Sequence, residues 1–450
     1  MRLDSVSYGM PVVHMSLWND FGFSDNPYSP KPIQPNDVGA KLLVGREGEL
    51  DRLMTFLRST DTHSTLEGPN GVGKTSLVAV AGFRLKQDFV EARSRQALLP
   101  LPTPFQLTPD DTAQTFKRRV LMNVAQAFIA NHDALKNAGF SVPAVEAVNQ
   151  WINSPLFVGG GAGVSIAGFG GSATSTVAAN TGSGFSEIGF ETQVRGWLSG
   201  AFPSLTNGAF IGTIDNLELL DTSRAARETL EAMRDEVLGI NGLRWVLCGA
   251  RGIMRSAASS PRLQGVLGQP ILIDPIQRDR TRELMETRLN VLATRKNAKV
   301  PVDGEGFTHV YEIGNFNLRN ALNYCEQFAL WAAASGSLKE DPRENYQLLE
   351  TWMADKAAEY SDDARGVGPT AWRVFDQMAE HGDAISPSDF GDFGFNSLQA
   401  LRTHLQALEQ ANLIQSTIDE TDNRRKTISI TSVGWIVRYS RLNFKLPSRR

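Results

Sequence analysis

Apolar positions recur along this chain with two periods, and the changes of period mark its parts. In residues 46–59, Leu50, Leu53, Phe56 and Leu57 share one face of a helix. Residues 64–67 read as a short strand, and residues 76–81 as part of the helix that follows. Residues 97–106 predict another strand, made irregular by prolines. Phe116, Val120, Val124 and Phe128 then recur at every fourth position, which predicts one helix from about Asp110 to Leu135. A helix over Phe190–Phe202 precedes Gly208–Asp215, an apolar strand ending in an acid. Ser223–Leu238 is helical, Leu243–Gly249 a buried strand and Pro270–Ile273 a further strand. Continuously apolar strands alternating with helices predict a parallel sheet covered on both faces. From Gln277 to about Ala364 the pattern is purely helical.

Two stretches interrupt this order. Residues 1–41 are rich in Pro, Asp, Asn and Ser and predict an extended lead-in, with Phe21, Phe23 and Tyr28 as aromatic anchors on the core. From Ala147 to Ser186 no residue is charged, and nine glycines lie between Phe157 and Ser186. The alternation in Gly163–Phe169 suits a β-hairpin for self-association or partner binding; a mobile surface loop is the other reading.

Composition narrows the class. The chain has 450 residues, a net charge of −4, 41% hydrophobic and 21% charged residues, as expected of a globular protein of several domains. The last thirty residues depart from this balance, with eight Lys or Arg against the single acid Asp422. Two distant cysteines, Cys248 and Cys325, imply neither a disulfide framework nor a metal cluster. No apolar run approaches the ~20 residues of a membrane span, and no signal pattern opens the chain, so the expectation is a cytoplasmic protein without a membrane role.

The chemistry centres on Gly68-Pro69-Asn70-Gly71-Val72-Gly73-Lys74-Thr75, which fits G-x-x-x-x-G-K-[ST] at every fixed position. The glycines let the loop curl so that its N–H groups point inward at phosphate, and the helix after it adds its positive dipole end. Lys74 reaches the β- and γ-phosphates, and the Thr75 hydroxyl serves Mg²⁺; Ser76 continues the site into the helix. A second Mg²⁺-holding acid belongs at the end of a neighbouring buried strand, where Asp215 stands. Asn216 follows it, so Glu218 is the first carboxylate able to orient an attacking water; a solvent-facing helix-start glutamate is its other reading. Arg251 follows a strand end, where it could contact the γ-phosphate; a surface salt-bridge arginine is its other reading, as it is for Arg319. Arg319, in the first turn of a helix after Gly314-Asn315, is placed to close over the nucleotide from a lid. Arg262 is a candidate finger into a neighbouring copy's site.

With these residues in place, the chain resembles the AAA+ ATPases, in the branch shared by origin-recognition-type and STAND-type ATPases. The resemblance covers roughly residues 42–335. Val44-Gly45-Arg46 opens a segment that looks like the one wrapping the adenine; Gly68–Thr75 is Walker A and Ile211–Asp215 Walker B. Arg251 resembles a sensor-1 basic residue, and Gly314–Leu322 with Arg319 a sensor-2 motif. Asn216 stands where the family usually carries a glutamate, which implies slow hydrolysis. The resemblance implies an α/β P-loop NTPase core over 42–276, a helical lid over 277–365, and ATP and Mg²⁺ as cofactors.

Residues 366–450 resemble a winged-helix domain with a basic tail. Thr370–His381 is its first helix, a short second helix starts at Ser386–Phe390, and Ser397–Asn412 is the third. Strands at Leu413–Ser416 and Thr427–Ile430 flank a wing with Arg424, Arg425 and Lys426. Together with Arg402 on the third helix, these are the candidate contacts to duplex DNA. Three functions remain open at this level. One is an ATPase switch whose nucleotide state controls homo-oligomer assembly on DNA or on an effector protein, as in a prokaryotic mobile-element or antiviral defence system. The second is a transcription regulator with structural ATP. The third is an interaction scaffold.

Overall fold

The computed structural model describes residues 16–146, 148, 187–220, 223–250, 252–381, 384–386, 389–418 and 426–443. The glycine-rich segment from 157 to 186, Arg251, and the wing residues Arg424 and Arg425 lie outside the described residues, as does the hairpin reading attached to that segment.

The chain begins with helices α1 (Leu17–Phe21), α2 (Asp37–Leu42) and α3 (Glu47–Ser59). Strand β1 (Ser64–Glu67) feeds the P-loop and α4 (Lys74–Val90). Then come β2 (Ala97–Pro100), β3 (Phe105–Gln106), α5 (Ala113–Ala130), α6 (His132–Asn137), α7 (Glu187–Ala201), β4 (Gly208–Asp215), α8 (Ser223–Met233), β5 (Leu243–Gly249), α9 (Ile253–Ala258) and β6 (Ile271–Leu272). The strands form one parallel sheet in the order β2-β4-β5-β1-β6, with β3 also on β4. The α/β class and parallel core expected from the sequence are therefore present.

Both faces of the sheet are apolar. Phe210, Ile214, Trp245 and Leu247 face α5, α7, α8 and α9, while Leu66, Ile211, Val246 and Cys248 face α3 and α4. Gly212 makes room for Trp245, because a Cβ there would lie 2.4 Å from the indole. The strand expected over 97–106 is split into β2 and β3, since proline removes ladder donors. The single helix expected over 110–135 breaks at Asn131, whose side chain donates back to the Ala127 carbonyl. The helix expected over 223–238 ends in a π-helical turn, Arg234–Leu238.

Four helices follow: α10 (Arg278–Leu292), α11 (Gly304–Ile313), α12 (Leu318–Ala334) and α13 (Pro342–Asp363). Their core includes Leu284, Phe307, Tyr311, Phe328 and Trp352. The N-terminal aromatic anchors pack here rather than on the sheet: Phe21, Phe23 and Tyr28 are all buried in this helical core. Tyr28 Oη donates to the Val302 carbonyl at 2.7 Å and accepts from the Val302 N–H at 3.0 Å. Further along the same segment, Ile33, Ala40 and Leu43 pack on the sheet's core. Residues 21–43 thus strap the helical layer to the sheet.

The last unit contains α14 (Pro369–His381), β7 (Ala384–Ile385), α15 (Leu398–Gln410), β8 (Ile414–Ile418), β9 (Lys426–Ile430) and α16 (Ser432–Asn443). Its three strands form an antiparallel sheet in the order β7-β9-β8, over a core with Phe375, Leu405 and Leu413. Part of the short helix expected at Ser386–Phe390 falls outside the described residues. Helix α16 occupies a stretch of the expected winged-helix unit for which the sequence analysis gives no element. It serves two cores at once: Ile436 is buried among the lid helices and Val437 among α14, α15 and the small sheet.

Candidate functional site

The P-loop sits where a phosphate site should, at the carboxyl end of β1 and ahead of α4. Gly71 and Gly73 take φ of +81° and +100°, the left-handed backbone that makes the loop curl. Gly68 is fixed by crowding, since a Cβ would meet the Ile273 carbonyl at 2.2 Å.

Five successive carbonyls of this loop are each held by a donor. Lys74 Nζ donates to Gly68 O at 2.8 Å and to Pro69 O at 3.2 Å. Asn317 Nδ2 donates to Asn70 O at 2.9 Å, the Arg319 N–H to Gly71 O at 3.2 Å, and Arg46 Nη2 to Val72 O at 3.1 Å. The Gly68 N–H is taken by the Gly249 carbonyl at 3.3 Å; with the carbonyls committed to donors, the N–H groups from Asn70 onward are the ones that can meet an anion.

Asp215 ends β4 and is buried beside the loop, and Thr75 Oγ1 donates to its Oδ2 at 2.6 Å. A hydroxyl and a carboxylate at one point make the hard oxygen set that Mg²⁺ takes, which seldom needs more than one or two carboxylates. Asn216 adopts φ +55° and turns the chain into a 3₁₀ turn, Leu217–Leu220, that carries Glu218. Glu218 is not among the residues lining the cavity, and its buried Oε2 has no hydrogen-bond partner among the described residues. Burial, then the Asp215 carboxylate, push the Cys248 thiol well above its ordinary range, and Lys74 and Glu218 also act on it.

The cavity beside the loop runs between the sheet, the lid and the strap. Asn70 to Ser76, Asp215 and Asn216 line its phosphate end; Val44, Ile276, Leu284 and Leu322 form an apolar end. Pro30 to Ile33 of the strap also line it, and the Ile33 N–H donates to Ser76 Oγ at 3.1 Å. Buried Arg288 holds the strap from the lid, with Nε on Pro27 O at 2.6 Å and Nη2 on Ser29 O at 3.0 Å. Burial lowers its pKa to about 10, so it stays charged at neutral pH.

The structure brings together Val44, Arg46, Asn70 to Ser76, Asp215 and Arg319. Arg46 was expected to touch the nucleotide; it lines the cavity, but its guanidinium is spent on Glu49 and on the Val72 and Asp274 carbonyls. Gly68 and Pro69 belong to the loop and Gly45 precedes α3, and none of the three lines the cavity. Arg319 is exposed at the cavity edge and its guanidinium has no protein partner among the described residues. Arg262 is exposed in the segment between α9 and β6, which pairs with His63 at the amino end of β1, so in its own chain it stands away from the P-loop. Arg402 is exposed on α15. Sequence reasoning missed Asn317, Arg288 and the strap prolines; the Asn-Leu-Arg-Asn capping pattern and the proline spacing were their only local signals.

No protein-family model matches the chain, and no curated protein matches it. Among solved structures, the chain is similar to the Aeropyrum pernix ORC1 protein in complex with DNA, with 15% identity and a TM-score of 0.40, over 89% of this chain and 93% of that one. It is also similar to a Walker-type ATPase of Pyrococcus abyssi, with 12% identity and a TM-score of 0.43, over 92% and 99%. For Cdc6p from Pyrobaculum aerophilum the values are 14% identity and 0.39, over 93% and 99%. From its own strand order, loop geometry and strand-end aspartate, the core of this chain is an α/β fold of the P-loop NTPase type.

Proposed function

We propose that this protein binds ATP with Mg²⁺ at the P-loop, hydrolyses it slowly, and uses the nucleotide state to control assembly on duplex DNA. The observation that carries the reading is the convergence of Lys74, Thr75 and Asp215 at one end of a cavity whose other end is apolar. Lys74 is the mobile cation able to leave its two loop carbonyls for a phosphate. Thr75 and Asp215 are the oxygen ligands for the metal, which when bound neutralises phosphate charge. Glu218, with its orphan oxygen, is the candidate for orienting water; its place outside the cavity lining agrees with slow turnover.

The DNA half of the reading rests on the C-terminal unit, read as a winged helix. Helix α15 exposes Gln399, Arg402, Thr403 and Gln406, side chains that bond base edges or phosphates, and the basic wing adds charge. The unit is joined to the lid by α16, so lid position and DNA-facing position change together.

Calorimetric titration with ATP tests the first half. Wild type should bind, Lys74→Ala should lose most affinity, and Thr75→Ala should lose the gain that Mg²⁺ confers. Equal affinity in all three would refute it. Anisotropy of labelled duplex tests the second half: Arg402→Ala together with Arg424→Ala, Arg425→Ala and Lys426→Ala should weaken binding and flatten its salt dependence. Unchanged duplex binding would point to a protein-contact unit instead.

A further inference from the structure

The P-loop of this chain is held partly from outside. Two of its carbonyls, Asn70 and Gly71, are held by the lid, 247 residues further along the chain for the side-chain bond. The contact is local to the first turn of α12. Asn317 caps that helix, its Oδ1 accepting from the Asn320 N–H at 3.1 Å. The same amide's Nδ2 donates to Asn70 O at 2.9 Å. The backbone then brings the Arg319 N–H to Gly71 O. The fit is close: a Cβ on Gly71 would lie 2.6 Å from Asn317 Oδ1 and 3.0 Å from Arg319 Cβ.

The turn that delivers Asn317 is under strain. Asn315 and Phe316 both adopt left-handed backbone, φ +51° and +59°. For a bulky residue such as Phe316 this conformation is costly and persists only where neighbours over-determine it. Here Phe316 packs edge-on against Tyr311 with ring centroids 5.6 Å apart, and Tyr311 Oη is tied to the Ile276 carbonyl at 3.1 Å. The lid thus fixes the turn, and the turn aims the amide at the loop.

We infer that Asn317 is a positioning residue, a latch through which the lid holds the P-loop in its anion-binding shape before any nucleotide arrives. It acts through the loop backbone rather than on phosphate. By linkage, the nucleotide must in turn favour the latched lid as strongly as the latched lid favours the nucleotide. The inference rests on the proposal that the P-loop takes ATP.

Asparagine does two jobs here, and substitution can separate them. Serine is as good a helix cap as asparagine, so Asn317→Ser keeps the bond to the Asn320 N–H. It lacks the amide and cannot reach Asn70 O. Asn317→Asp keeps both cap and shape but sets an acceptor against the Asn70 carbonyl. The experiment is ATP titration of the full chain with Mg²⁺, alongside thermal unfolding without nucleotide. Asn317→Ser should weaken ATP binding several-fold, up to about tenfold for one lost hydrogen bond. Asn317→Asp should weaken it at least as much, and both should unfold within a degree or two of wild type. The ATP-induced rise in unfolding temperature should shrink in both. Wild-type affinity in Asn317→Ser would overturn the inference, as would a loss of affinity matched by an equal loss of nucleotide-free stability. Wild type and Lys74→Ala in the same series keep the two proposals apart: if Lys74→Ala binds ATP as wild type does, it is the P-loop reading that fails.

Discussion

Two of the lid's interfaces are built from opposite materials. Toward the P-loop the lid offers a few polar bonds, Asn317 Nδ2 to Asn70 O and the Arg319 N–H to Gly71 O, around a cavity. Toward the C-terminal unit it shares a helix. Ile436 of α16 is fully buried in the lid core, its neighbour Val437 is fully buried in the C-terminal core, and Tyr360 of α13 packs against both. A backbone hydrogen bond is worth about 0.5–1.5 kcal/mol net, while a buried isoleucine truncated to alanine costs about 2–5 kcal/mol. The difference teaches which contact is made to change. The polar face is weak enough for its population to depend on a bound nucleotide, whereas the apolar face carries the C-terminal unit along as part of one body.

The strongest way to break this contrast is Ile436→Ala. It should cost about 2–5 kcal/mol in urea unfolding and open the segment between α13 and α14 to limited proteolysis. ATP affinity should stay close to wild type, because the P-loop interface is untouched. A parallel fall in ATP affinity would mean that the two interfaces are not separable.

A smaller effect is expected from Tyr439→Phe. Tyr439 Oη lies 3.0 Å from His309 Nε2, joining α16 to lid helix α11. Its loss should cost about 0.5–1.5 kcal/mol and leave ATP binding unchanged. Burial holds the His309 pKa below its ordinary value, against the opposing pull of Glu350 and Glu312. A histidine kept neutral on folding contributes stability that is complete above its unfolded pKa and shrinks as pH falls below it. The junction should therefore loosen below about pH 6.5, visible as faster proteolysis at pH 5.5 than at 7.5.

The smallest contribution to the contrast comes from a residue at neither interface. His63, at the amino end of β1, is buried against the Leu238 carbonyl at 2.8 Å, and burial lowers its pKa to about 4. Sheet stability should fall as pH drops from about 6.5 toward 4. Asn317→Ser should show the same slope as wild type in that range, and a different slope would tie the latch to the sheet rather than to the loop.

The parts of this molecule legible in the sequence are those encoded within a few residues. The P-loop, β4 with Asp215 and the apolar stripe of α15 all carry their pattern locally, and the structure has each element within a residue or two of its expected bounds. Contacts made across the chain left little trace. Arg288 with the strap and Asn317 with the loop join residues more than 240 positions apart, and no local period announces them. Helix α16 escaped for a different reason. Its buried residues are split between two cores, so Ile436 and Val437 fall side by side instead of on one stripe. Arg46 lines the cavity while its guanidinium bonds Glu49 and two carbonyls, since a sequence motif fixes position and not the direction of a guanidinium.

Hydrogen–deuterium exchange of the full chain, with and without ATP and Mg²⁺, tests the contrast most directly. The account predicts a change in protection at residues 70–73 and 317–320, and none at the buried junction of α13 with α16. Changed exchange at that junction, with residues 70–73 and 317–320 unaffected, would contradict it.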